Sequence, residues 1–409
     1  MKRFVLVLAI VTFTLNVAAD EYTDPSTNVV YAYDPNGTTA EVKGGVRYDY
    51  DGSNTVYKAG SPNASGDVDI LEKVVVNGKE FSVTKIGDYA FCMLNDLIHV
   101  SIPSSISSIG FEAFAGCSKL ESIDIKEGLQ KIRQESFRDC VSLKSVLLPS
   151  GLESIGFGAF SGCQKLTSII IPASVSDIHM TSFLGCNALG SIMVEEGNSV
   201  YDSRYNCNAI IKTADNMLLI GCMNTVIPKS INSIGEKAFT YCQGLSEIVV
   251  PGSVREIGKY AFQNCTNLRK LTLSEGLQSI RWGAFWECGL TTVTVPASVR
   301  EIEPGALWMS GLVTLTSLIE EPFEVSKICN LDACQTALYV PVGSIEKYRV
   351  TPDWNLFPEI QEIGTNKVGT VSFVSDSNSD TFFDLQGHRL SDQPQKGIYI
   401  HNRKQKLIK

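Results

Sequence analysis

Histidine, basic charge and long apolar runs are all scarce in this chain, and each scarcity removes a class of function. Its four histidines, His99, His179, His388 and His401, are scattered through 409 residues without metal-ligand spacing. No catalytic or metal centre built on imidazole is indicated, since such centres need partners in reach of one another. No G-x-S-x-G, P-loop or H-E-x-x-H motif is present. Lys and Arg number 35 against 44 Asp and Glu, a formal charge of -9. That is the wrong sign for nucleic acid, which wants a basic face. After residue 19 no stretch is apolar for long enough to span a bilayer. The residues call for no cofactor and no metal.

What the chain has in abundance is itself. The stretch IGFEAFAGCSKLESIDIKEGLQK, residues 109–131, recurs with its opening Ile at 86, 109, 132, 155, 178, 234, 257, 280 and 302. Spacings of 22 or 23 residues, broken once by 56, are the mark of a solenoid whose units cannot bury their apolar faces alone. Counting the Ile as zero, Phe recurs at +5 (Phe91, Phe114, Phe137, Phe160, Phe183, Phe239, Phe262, Phe285), usually after Ala. The stretch from +2 to +9 is expected to make a short helical turn that points Ala and Phe inward. An L-x-x-I-x-I phrase follows, as at Leu120, Ile123 and Ile125, and its period of two predicts a strand with one buried face. Pro often ends that strand (Pro103, Pro149, Pro172, Pro251, Pro296) because it has no N–H to donate.

These residues resemble the leucine-rich repeat of the BspA-like surface proteins of Bacteroidota and some protozoan parasites, from about residue 58 onward. The resemblance implies an α/β solenoid, a right-handed superhelix of short strands and short helical turns. It also implies a surface protein that binds other macromolecules. Taken with the missing catalytic motifs and the leader-like residues 1–19, the expectation is an exported, non-enzymatic protein of the cell surface or extracellular space that binds proteins or glycans of a host or neighbouring cell. It names no ligand and no ligand-binding residue.

Taken in order, residues 1–19 read as a secretory signal: Lys2 and Arg3, an apolar run from Phe4 to Phe13, then small residues Val17 and Ala19 before Asp20. Residues 20–85 form an N-terminal segment, and Asn77-Gly78 between two apolar runs predicts a hairpin capping the first coil. Repeats fill 86–315, with an insertion at about 195–226. Its two apolar runs, 209–211 and 217–220, predict a second hairpin, either joining the stack or displayed on a binding face. Residues 316–364 read as a C-terminal cap, with a strand at 337–340, Ser344 as a helix N-cap, and Tyr348, Trp354 and Phe357 plugging the last coil. The tail, 365–409, alternates apolar and polar residues as a small β module, either a sorting signal or plain structure.

Twelve cysteines in an exported chain would suggest disulfides. Seven of them, however, sit at +8 (Cys117, Cys140, Cys163, Cys186, Cys242, Cys265, Cys288), where a small buried side chain is wanted. A reduced packing ladder is expected there. Cys207 with Cys222, and Cys329 with Cys334, lie off the ladder and are the better disulfide candidates. In the insertion, Glu195, Glu196, Asp202 and Asp215 could hold calcium, but no D-x-D-x-D-G loop accompanies them and a solvated acidic turn is the simpler reading.

Two surfaces are candidates for binding. If +14 and +16 point inward, +15 points to solvent, and there Leu147, Ile170, Met193 and Val249 form an apolar row across four consecutive coils. The same row could instead be ordinary sheet surface, or lie under the insertion. Phe111, Phe157, Tyr260 and Trp282 at +2 or +3 could stack on sugars, or pack between turns. A polysaccharide-cleaving β-helix would need carboxylates aligned on adjacent coils, and the +15 row offers none in pairs. A monomer is expected.

Overall fold

The computed structural model describes residues 20–50, 54–309, 311–329 and 336–364, with the tail strands Phe382–Phe383, Arg389–Leu390, Gly397–His401 and Lys404–Ile408. It divides into two units, 1–363 and 364–409. The expected signal, Cys334 and most of the tail lie outside the described residues.

Each coil of the first unit is pinned to the next at three places. The first is the opening Ile. Ile86, Ile109, Ile132, Ile155 and Ile178 are parallel partners in succession, and Leu218, Ile234, Ile257, Ile280 and Ile302 form a second series. The second is the strand at +13 to +16, where Ile123 pairs with Val100 and Val146, Ile169 with Ile192, and Ile248 with Leu271. Inward members of this strand are buried and outward members are exposed, as a period of two requires.

The third is the segment read as a helical turn. Ala and Phe do point inward, but the chain there is a run of tight turns rather than α-helix. Left-handed residues recur at +3 and +7: φ is 48° at Glu112, 73° at Gly116, 54° at Glu135 and 58° at Asp139. L-residues do not propagate an α-helix through such positions. Freed from helical bonding, the Phe amides reach the next coil, as Phe91 N–H donates to Ala113 O at 2.7 Å, Phe114 to Ser136 O at 2.8 Å and Phe262 to Ala284 O at 2.7 Å. Among the described residues the one α-helix is Ile345–Val350.

This third ladder stacks the Phe rings. Phe91, Phe114, Phe137, Phe160 and Phe183 form one column with centroids 4.9 to 5.5 Å apart. Phe239, Phe262 and Phe285 form another, at 4.8 and 5.1 Å. Where Ser replaces Ala at +4 it stays buried by donating to backbone: Ser136 Oγ lies 2.7 Å from Arg133 O and 2.9 Å from Gly110 O.

The +8 cysteines complete the same edge as free thiols. Sγ of Cys117, Cys140, Cys163, Cys186, Cys265 and Cys288 each donates to the Phe carbonyl of the preceding coil, at 2.8 to 3.3 Å. That carbonyl also accepts an amide from its own coil, as Phe114 O does from Cys117 N–H at 3.1 Å. Both lone pairs are thereby used, which a valine in the same space would not achieve. Burial pushes three of these thiols up from 9.0, to about 12 at Cys186 and well above the ordinary value at Cys140 and Cys163. The expected Cys207–Cys222 disulfide is absent. Cys207 packs into the core of the later coils and Cys222 into that of the earlier ones, on opposite faces of the insertion.

The insertion joins the stack. Tyr201–Asp202, Ala209–Lys212 and Met217–Gly221 make three antiparallel strands, and Leu218 then pairs with Ile234 in parallel. Its residues divide between two cores: Ile210, Ile220 and Cys222 face the earlier coils, while Ala209, Ile211 and Leu218 face the later ones. At the far edge nothing intervenes, and Asn187 Nδ2 donates directly to Gln243 Oε1 at 3.4 Å. The insertion is therefore a wedge, three strands thick at the Ile edge. Gly221 permits its closest approach, since a Cβ there would lie 2.1 Å from the Phe239 ring.

At the N-terminus the Asn77-Gly78 hairpin is present, with φ of 52° and 78° and Val76 opposite Lys79. It does not end the sheet. Thr39–Val42 pairs with Lys79–Ile86, and Val30–Tyr33 and Asp20–Thr23 lie further out. At the other end the strand Ala337–Val340 forms as expected, and Tyr348, Trp354 and Phe357 are buried in contact with one another. Ser344 occupies the N-cap position, but its hydroxyl donates to Pro341 O at 2.6 Å instead of capping. The tail strands form a separate four-stranded antiparallel sheet.

Two measurements follow from this packing. Phe137→Ala should destabilise the solenoid by about 3–5 kcal/mol, because it opens a gap in a continuous column, whereas Phe137→Leu should cost well under half of that in the same denaturant titration. The thiols set a pH dependence. A folded thiol holds its proton more tightly than an unfolded one, so its stabilising share is complete below 9.0 and falls as pH rises toward about 12. The denaturation midpoint should therefore drop as pH rises above about 9, and drop less in a Cys140→Ala, Cys163→Ala variant.

Candidate interaction surface

The outward row exists where the strand period places it. Leu147 is 74% exposed, Ile170 45%, Met193 46% and Val249 57%, while their neighbours Val146, Leu148, Ile169, Ile171, Ile192, Ile248 and Val250 are buried. Ile170 and Met193 are direct parallel partners. The flanking +13 side chains are small: Ser145 and Ser168 are exposed, and Ser122 and Ser191 half-buried. Among the described residues nothing covers the aliphatic row.

It does not run over four consecutive coils, however. Val249 is separated from Met193 by the wedge, which supplies members of its own. Eight residues before the opening Ile234 stands Val226, as Ile170 stands eight before Ile178. Val226 is 70% exposed, and its N–H donates to Cys207 O at 3.0 Å. At the other side of the same segment, Ser203 Oγ accepts the Val194 N–H at 2.9 Å. Residues 203–207 thus bridge the strand of Met193 and the position of Val226, and between them Tyr205 stands out, 82% exposed. Counting forward from each Ile misses both. Counting back from Ile234 finds Val226, since Pro228 and Ile231 repeat the spacing of Pro172 and Val175.

The aromatic candidates are not brought together. Phe111 packs edge-on to Tyr89 at 5.2 Å and Phe157 edge-on to His179 at 5.0 Å, two coils apart. Tyr260 and Trp282 do meet, at 4.6 Å, and Trp286 and Trp308 extend the cluster. The pair Trp286–Trp308 is stacked with planes 7° apart, so these rings spend their faces on each other. Both tryptophans sit at +6, a repeated position that sequence reasoning passed over.

Three of the four acidic residues of the insertion have separate partners. Glu195 accepts the Ala173 N–H at 3.1 Å, Asp202 pairs with Arg204, and Asp215 lies 3.7 Å from Lys212. At Asp202 burial would raise the carboxyl's pKa, but hydrogen bonds from Arg204 outweigh it and hold it below the ordinary value. His99 is a ladder residue, its Nδ1 2.8 Å from Ser122 Oγ.

Among the described residues no helix is long and apolar enough to cross a membrane. No curated protein matches the chain. Its fold is similar to that of a leucine-rich repeat protein from Bacteroides ovatus, at 21% identity over 84% of this chain and 77% of that one, with a TM-score of 0.53. It is similar too to the pneumococcal vaccine antigen PcpA, at 19% identity over 86% and 100% of the two chains, with a TM-score of 0.55. The family model of the BspA type leucine rich repeat region matches residues 74–210 and 219–313 in 6 copies, its gap falling in the hairpin of the wedge. With more than half its length so matched, the chain belongs to the BspA-type leucine-rich repeat family.

Proposed function

We propose that this chain is an exported, non-enzymatic surface protein that binds proteins of a host or neighbouring cell through the outward strand face of its solenoid. The observation that carries the reading is the exposed row Leu147, Ile170, Met193 and Val249, set on strands whose inward members are buried. Family membership supports a role at the surface, and the leader-like residues 1–19 support export. A contiguous apolar patch open to water marks interaction sites more often than chance. Glycan binding through the aromatic positions is the second reading, and the packing of Trp286 on Trp308 leaves it less ring face to use.

The test is binding of residues 20–409 to panels of matrix proteins and glycans, beside a Leu147→Asp, Ile170→Asp variant whose fold is checked by circular dichroism. Burying two such side chains is worth about 3 kcal/mol or more, so the variant should lose on the order of 100-fold in protein affinity. Glycan binding that survives the variant would move the site elsewhere on the solenoid. Protein binding that survives it would sink the proposal.

A further inference from the structure

Tyr205 is held in a conformation that its side chain does not favour. Its φ of 60° and ψ of 23° lie in the left-handed region, where an aromatic L-residue is strained and Asn or Gly is at ease. Asn206 and Asn208 beside it are left-handed as well, at 53° each, and there the residue type suits the backbone. The Tyr205 ring repays nothing to the fold, being 82% exposed. The strain is imposed by what surrounds it. Arg204 Nε donates to Asp202 Oδ1 at 2.9 Å, and its Nη1 to Asn216 Oδ1 at 2.8 Å. Ser203 and Cys207 are fixed to Val194 and Val226 on either side. A strained, exposed residue on a braced segment calls for a use outside the fold.

Its place supplies one. Tyr205 stands between Met193 and Val226, so the wedge carries the outward apolar row across itself, and the two residues it contributes are more exposed than the Met193 they follow. Along that row the outward side chains Ser145, Leu147, Ser168, Ile170, Ser191, Met193, Tyr205 and Val226 carry no charge. Several of the charges that flank it are already paired, Lys126 with Asp124 at 2.7 Å and Lys144 with Glu121 at 2.6 Å on one side, Lys270 with Glu247 at 3.7 Å on the other, while Lys165 and Glu196, of opposite sign, lie exposed beside it. Arg204, the cation within the row, is committed to Asp202. Nothing here selects an anionic or cationic ligand.

Dimensions narrow the occupant further. Six successive positions at a strand spacing of about 4.8 Å span roughly 24 Å, the length of about seven extended residues, in a strip one side chain wide. Such a strip falls well short of the ~800 Å² per partner that a stable dimer of folded chains uses. We propose that the row binds an extended, uncharged apolar segment of another protein, and that Tyr205 is its anchor. This rests on the reading of the outward strand face as the docking surface. A rigid, exposed Tyr at the centre of an aliphatic strip suits the part, since anchors of this type lose little side-chain freedom on binding.

The experiment is to pan residues 20–409 with a phage-displayed library of random dodecapeptides and measure the recovered peptides on variants. Tyr205→Asn is the informative change, because Asn accepts the left-handed backbone and should leave thermal unfolding unchanged or raised. Recovered peptides should be apolar and uncharged, bind Tyr205→Asn at least tenfold more weakly, and bind Tyr205→Phe within threefold of the parent. Peptides lost with Leu147→Asp, Ile170→Asp but indifferent to Tyr205→Asn would leave the face standing and overturn its anchor. Indifference to both variants would overturn the face as well. Charged peptides, no recovered peptide, or a dimer in sedimentation that Tyr205→Asn dissolves would each overturn the proposed occupant.

Discussion

The constraint on which the rest depends is that every coil must be hydrogen-bonded through its backbone to the next coil on three sides at once. Two of those sides are short parallel strands. The third is the Phe edge, where left-handed residues at +3 and +7 turn the +5 amide out of its own coil and onto a neighbouring carbonyl. Once that hydrogen bond exists, the Phe rings must stack at the coil spacing, and the carbonyl left with a spare lone pair must find a donor. The +8 thiol is that donor. Ring column and thiol ladder are therefore consequences of one bonding pattern, and neither asks for redox chemistry.

Because the three ladders hold the backbone, the outward positions are free to vary. Across equivalent coils the outward strand position carries Ser101, Asp124, Leu147, Ile170, Met193, Val249 and Thr272 at +15, and Thr294 at +14 in the coil that is one residue shorter, always facing out. The aliphatic members cluster in the middle coils and at the wedge. That wedge adds strands at the Ile edge, none at the Asn187–Gln243 edge, and a braced segment at the strand face. A rigid scaffold that positions variable side chains is the usual division of labour in recognition proteins. Here the interruption of the repeat and the most exposed side chain of the row fall at the same place.

Much of this was legible in the sequence because repetition multiplies weak signals. One Phe at +5 says little, but eight in register fix an inward position, and the L-x-x-I-x-I phrase fixes which strand residues face out. The reduced thiol ladder followed from the same register. The Phe edge was misread because Ala, Phe and Cys at +4, +5 and +8 share one face in a helix just as they do in this turn. Glu112, Glu135 and Lys237 gave no hint that their backbones are left-handed, since the strain is imposed by coil stacking rather than by residue type. Tyr205 was invisible for a related reason: its exposure depends on which way an irregular segment is tethered. The Cys207–Cys222 pairing failed because closeness in sequence does not say which face of a hairpin each thiol occupies.

The most direct test of this account is amide hydrogen exchange of the free protein, resolved to single residues along the Phe edge. If the third ladder is real, the amides of Phe114, Phe137 and Phe160 exchange as slowly as those of Ile109, Ile132 and Ile155, although no regular strand or helix contains them. Exchange of the Phe amides at the rates of open turns, with the Ile amides still protected, would contradict it. The coils would then be joined on two sides only, and the rigid display of the outward row would lose its basis.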